Sequence, residues 1–77
     1  MKDLLYTIAE GLVEDKSAVE ITEDAPDSDG ITVFHLHVAP DDMGRVIGKH
    51  GKIAKAIRDI MRSAAVRKNI KVMVEID

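Results

Sequence analysis

The 77-residue sequence predicts a single α+β domain in which three helices cover one face of a three-stranded sheet. Three observations predict it. Apolar residues recur at helical spacing near the start of the chain and again from residue 52 to 67. They alternate with period two in three other stretches. The proline, glycine and aspartate residues between these stretches leave room for one further short helix, giving the order α-β-β-α-α-β. No internal repeat, low-complexity tract or linker divides the chain, so residues 1–77 read as one unit.

Leu4, Leu5, Ile8, Leu12 and Val13 share a helical face over residues 3–14, with Asp3 near the positive end of that helix. Gly11 inside the pattern costs about 1 kcal/mol relative to alanine and favours fraying near residue 14. Ala18-Val19-Glu20-Ile21-Thr22 alternates as a short strand does. The stretch Asp24 to Gly30 is a loop by its proline, aspartates and glycine. Ile31 to Val38 forms a second strand, with Phe34, Leu36 and Val38 on one face and Val33, His35 and His37 on the other. An antiparallel pair joined by the acidic loop is the simplest arrangement of the two.

Pro40 ends that strand because it has no N–H for the ladder. Asp41 or Asp42 is placed to cap a helix starting near Met43, and Gly48 and Gly51 keep that helix short. From Lys52 the next helix runs to about Arg67. Ile53, Ile57, Ile60 and Ala64 form one apolar stripe along it, and Ala54, Met61 and Ala65 form an adjoining one. Arg67 and Lys68 suit its negative end. Asn69 breaks the helix, and Ile70 to Ile76 alternates into the last strand.

Composition narrows the function. Without cysteine there is no disulfide framework and no Cys-type zinc site. Tyr6 and Phe34 are the only aromatic residues, so the core is built from Ile, Val, Leu, Met and Ala. A chain this short buries a modest fraction of its surface, and pairing with a second chain would help it. No apolar run approaches the roughly 18–20 residues of a membrane span. The N-terminal residues lack the pattern of a signal peptide, so a cytoplasmic location is expected.

The net charge of −3 hides a strong asymmetry. Residues 1–42 carry two bases against eleven acids, a net of −9, whereas residues 43–77 carry nine bases against three acids, a net of +6. Such a division favours an anionic partner held by the basic half. Solvated faces of a small soluble protein are the bland reading of the same charges.

Other chemistries fit poorly. A phosphate-binding P-loop needs four residues between its glycines and Ser or Thr after the lysine; Gly44 and Gly48 enclose three, and His50 follows Lys49. His35 and His37 share a strand face, but two histidines need further ligands to hold a metal and none is indicated. The loop ending in Asp27-Ser28-Asp29-Gly30 would place Ala25 and Leu36 at ligand positions of a calcium loop, so an acidic turn is the better reading. No nucleophile with a partnered base, and no carboxylate pair at a pocket, can be assigned. A non-enzymatic protein without cofactor or metal is expected.

The feature left to carry chemistry is Gly48-Lys49-His50-Gly51. Two glycines around two polar residues let the backbone turn tightly and admit a sugar–phosphate chain close to the main chain. The N–H groups opening the next helix favour an anion there. Lys49, Lys52 and Lys55 add positive charge, and His50 adds a hydrogen-bond donor. The spacing G-x-x-G alone is common. In its context, however, Gly44-Arg45-Val46-Ile47-Gly48-Lys49-His50-Gly51-Lys52-Ile53 closely resembles the signature of the KH domain. With the order α-β-β-α-α-β it resembles the type II, prokaryotic topology over essentially the whole chain, and is nearest to stand-alone bacterial members.

That resemblance implies a clamp on the backbone of single-stranded RNA, made by Gly48, Lys49, His50 and Gly51. Val46 and Ile47 would supply apolar groove residues, Ile53 a groove wall, and Lys52 and Lys55 contacts towards phosphates. Gly44 and Arg45 belong to the same signature. The resemblance further implies self-association or pairing with a larger KH-containing protein; the Ala54, Met61 and Ala65 stripe reads either as ordinary core or as the candidate contact. A post-transcriptional regulator or RNA chaperone acting in cell elongation or division is the output it implies. Because the rest of the chain is acidic, RNA binding by one domain is expected to be weak and strongly salt-dependent.

Overall fold

The computed structural model describes residues 1–77. Helix α1 (Lys2–Leu12) leads through a 3-10 turn at Lys16–Ala18 to strand β1 (Glu20–Glu23) and strand β2 (Ile31–His37). A second 3-10 turn, Pro40–Asp42, opens onto the short helix α2 (Met43–Ile47). The turn Lys49–Gly51 separates it from the long helix α3 (Lys52–Arg67), and strand β3 (Lys71–Ile76) closes the chain. The result is an α+β domain with a mixed three-stranded sheet and three helices.

The sheet order is β1-β2-β3. β1 and β2 are antiparallel, with Ile21 opposite Leu36, and β3 lies parallel to β2, with Val74 opposite Phe34. Period-two alternation sends Ile21, Phe34, Leu36 and Val74 to the same face, where α1 contributes Leu5 and Ala9, α2 contributes Val46, and α3 contributes Ile57 and Met61. Phe34 is the one aromatic residue in this core. The opposite face carries His35, His37 and Glu75.

Two turns explain the element ends. In the β1–β2 loop, Asp27 folds the chain on itself: its Oδ1 accepts the N–H groups of Asp29 and Ile31 at 2.8 and 3.0 Å. Asp27 is thus a turn residue. At the end of α3, Asn69 takes a left-handed conformation (φ 58°). Its N–H reaches Val66 O at 3.1 Å, while Ile70 N–H reaches Ala65 O at 3.0 Å, the paired closure of a Schellman motif.

The structure decides two features that the sequence leaves open. The stripe of α3 that meets the core is Ala54, Ile57, Met61 and Ala65, while Ile60 remains 46% exposed. Ala54, Met61 and Ala65 are therefore core residues and present no contact surface to another chain. Asp42 stands at the N-cap of α2 but its side chain makes no capping bond; it turns inward to another segment. No helix is long and apolar enough to cross a membrane.

Candidate nucleic-acid interface

The loop between α2 and α3 is built by three residues with positive φ among four. Gly48 ends α2 at φ 75° and ψ 174°, a region essentially reserved for glycine. Ile53 Cγ1 would lie 2.6 Å from any Cβ added there. His50 follows at φ 58° and ψ 23°, and Gly51 at φ 75° and ψ 15°. Gly48 N–H closes α2 on Gly44 O at 2.9 Å, and Gly51 N–H returns to Gly48 O at 3.2 Å. The chain thus reverses in four residues while Lys49 and His50 stay exposed at its tip.

Gly51 is also the N-cap of α3 and brings no side-chain cap, while the first N–H of the helix, that of Lys52, is taken up within the loop by Lys49 O. The first turn carries the positive end of a 16-residue helix dipole. Lys49, His50 and Lys52 are exposed and form no ion pair, whereas Lys55 Nζ is paired with Asp59 Oδ2 at 3.0 Å. An exposed pair of this kind is worth little and opens readily. The tip and the first turn of α3 therefore offer unneutralised positive charge beside the positive end of the helix dipole.

The apolar residues expected beside the loop divide. Val46 is fully buried and belongs to the core beneath α2, which corrects its expected place in the groove lining. Ile47 is exposed, and Ile53 is half-buried over Gly48. Gly44 lies on the exposed side of α2, where an added Cβ would meet nothing within 4 Å. Arg45 is half-exposed on the same helix and is engaged by Glu14.

The structure adds two residues that the sequence reading passed over. Arg58 and Arg62, one turn apart on α3, line a hollow against Val72, Met73 and Val74 of β3. Arg58 Nε donates to Val74 O at 3.2 Å, which docks α3 on an edge strand of the sheet. Lys55, Arg58 and Arg62 recur at helical spacing, a signal that was available in the sequence. Basic side chains consequently continue along α3 from the loop.

Asp42 supports the start of α2 from below. Its two carboxylate oxygens accept the backbone N–H groups of Glu14 and Asp15, each at 3.1 Å. These hydrogen bonds, with help from the nearby Arg45 and Lys16 charges, outweigh burial and hold its carboxyl below the ordinary carboxylate range. The segment after α1 is thereby fastened to the helix that leads into the loop.

A family model described as KhpA/KhpB, KH domain, matches residues 2–76. A protein named RNA-binding protein KhpA from Clostridium acetobutylicum is 49% identical over 76 residues, covering 99% of both chains. Its namesake from Clostridium perfringens is 45% identical with the same coverage. Among solved structures, Aquifex aeolicus Era bound to GDP and aluminium fluoride superposes with a TM-score of 0.67 at 18% identity. Era in complex with MgGDPNP and nucleotides 1506–1542 of 16S ribosomal RNA gives a TM-score of 0.66. Each Era match covers 97% of this chain and spans 28% of the Era chain, and at this identity it speaks for the fold alone.

Proposed function

The chain belongs to the KhpA/KhpB KH-domain family, with the type II KH fold, and from that premise we propose that it binds single-stranded RNA through the Gly48–Gly51 loop. The observation that carries the reading is the loop tip itself. Lys49 and His50 stand exposed and free of ion pairs, directly ahead of the positive N-terminal end of α3. A phosphodiester backbone meets there a charge, a donor and a helix dipole in one place. Gly44, Arg45, Ile47, Gly51, Lys52, Ile53 and Lys55 flank that contact, and Arg58 and Arg62 extend it along α3.

Such a surface reads backbone more than base, and two or three phosphate contacts give modest affinity. Each contact contributes a slope of about −0.7 to log K against log salt for a single strand. The deciding experiment replaces Lys49 and His50 by Asp in the full chain. Both side chains are exposed, so the fold stays intact while crosslinking to single-stranded RNA is lost. Unchanged crosslinking by a folded Lys49→Asp/His50→Asp variant would falsify the reading.

A second reading, association with another copy or with a larger KH-containing protein, is favoured by one separate observation. Leu4 of α1 and Ile60, Ser63 and Ala64 of α3 line an open apolar groove flanked by Asp59 and Arg67. Ile60→Asp would convert a dimer to a monomer in light scattering; a monomeric parent chain would remove this reading. The physiological output inferred from the family is cytoplasmic RNA chaperoning or post-transcriptional control in cell elongation or division. Cell length in a strain lacking the protein tests that inference.

A further inference from the structure

Arg45 projects from α2 immediately ahead of the glycine loop, yet its guanidinium is already held by two carboxylates. Its Nη2 donates to Glu14 Oε1 at 2.6 Å, and its Nε lies 3.4 Å from Asp42 Oδ1. The two acids are not equivalent. The Asp42 side chain is 4% exposed and both its oxygens accept backbone N–H groups, so it is a fixture of the fold. The Glu14 side chain is 79% exposed and Arg45 is its one partner.

Only the main chain of Glu14 is fastened, and Asp42 does the fastening, since its Oδ1 takes the Glu14 N–H. Glu14 is thus a carboxylate delivered to Arg45 on a fixed attachment, able to swing into solvent. Without that attachment, a residue 31 positions away in sequence would meet Arg45 rarely.

We propose that Glu14 is an internal competitor of RNA phosphate for Arg45, so that RNA engages this end of the loop by exchanging a carboxylate for a phosphate on one guanidinium. The inference rests on the RNA-binding reading above. Carboxylate and phosphate occupy the same planar fork of an arginine, and one edge of the fork serves one anion at a time. The ion pair is exposed and screened by salt, so the exchange trims affinity without blocking it. It also raises discrimination: a strand bound elsewhere along α3 that leaves no phosphate at Arg45 does not displace Glu14.

The test is a double-mutant cycle on the full chain, titrated with single-stranded RNA at low and high salt. Glu14→Gln should tighten binding about two- to fivefold at low salt, the size of an exposed ion pair, and less at high salt. In an Arg45→Gln background the same substitution should change nothing. Glu20→Gln, an exposed acid on β1, measures the general effect of removing one negative charge. Equal gains from Glu14→Gln with and without Arg45, or no gain beyond that of Glu20→Gln, would overturn the exchange. If the parent chain binds no RNA at all, the RNA-binding reading falls first and the exchange with it; lost coupling with binding intact removes the exchange alone.

Discussion

Ile53 closes over Gly48 so tightly that a Cβ at position 48 would lie 2.6 Å from Ile53 Cγ1 and 2.9 Å from Ile53 Cβ. The backbone at Gly48 is independently restricted to glycine by φ 75° and ψ 174°. Gly51 shares the positive φ, but an added Cβ there would meet nothing within 4 Å. The first glycine of the loop is demanded by torsion and by a neighbour, the second by torsion alone.

The two positions should therefore respond unequally. Gly48→Ala is expected to cost about 2–4 kcal/mol, from backbone strain and overpacking together. Gly51→Ala should cost about 1–2 kcal/mol, and Gly51→Asn less, because asparagine tolerates the left-handed region. Urea midpoints of the three variants check this. Equal losses at positions 48 and 51 would mean that Ile53 moves aside.

Asp42 makes a different kind of prediction, since its partners are main-chain donors from another segment. Asp42→Ala leaves the Glu14 and Asp15 N–H groups without acceptors and should lower the melting temperature by about 5–10 °C. Its carboxyl is held below the ordinary value of 3.8, mainly by those two N–H groups. The sign follows: the contribution is present above pH 3.8 and is lost as pH falls through the lower folded value. The melting temperature of the alanine variant should accordingly depend less on pH than that of the parent below pH 4, measured by circular dichroism.

How far the sequence discloses this molecule depends on the range of the interactions involved. Helix α3 is legible to the residue because Gly51 and Asn69 bracket it with local chemistry, and β2 because Phe34, Leu36 and Val38 recur at every second position before Pro40. The glycine loop is legible as a motif for the same reason. The choice between two adjoining stripes on α3 is not local. Packing over Phe34, Leu36 and Leu5 turns Ala54, Ile57, Met61 and Ala65 inward and leaves Ile60 outside. Val46 joins the same core cluster, which again depends on the tertiary fold. Asp42 looks like a cap in sequence, and only the fold brings Glu14 and Asp15 to its oxygens. The Arg45–Glu14 pair, separated by 31 residues, has no sequence signature at all.

Gly11 offers a gain in stability. It lies exposed in the last turn of α1, and an added Cβ would meet nothing within 4 Å. Gly11→Ala should stabilise the chain by about 0.5–1 kcal/mol, largely by restricting the unfolded state. A rise in urea midpoint with unchanged RNA affinity is the expected result. A fall would show that the end of α1 must stay flexible for the segment carrying Glu14.

The open face of the sheet should make stability depend on pH near neutrality. His35 Nε2 lies 2.8 Å from Asp24 Oδ2, and its Nδ1 lies 3.4 Å from Glu75 Oε2. A neutral imidazole has one N–H and can serve one of these carboxylates; the imidazolium serves both. The hydrogen bond to Asp24 is the main reason that its pKa is raised above 6.5. Partial burial opposes it, and the charges of Asp24, Glu75 and Asp77 add to it. A raised folded-state value means that the folded chain holds this proton longer than the unfolded chain does. The stabilisation is therefore complete below pH 6.5 and disappears as pH rises through the folded value. Because the groups are exposed, the effect is small, about 1–3 °C in melting temperature between pH 6 and 8, and it shrinks in high salt. His35→Gln should flatten that part of the profile while leaving the fold and the Gly48–Gly51 loop untouched. An identical slope in parent and variant would assign the pH dependence to other groups.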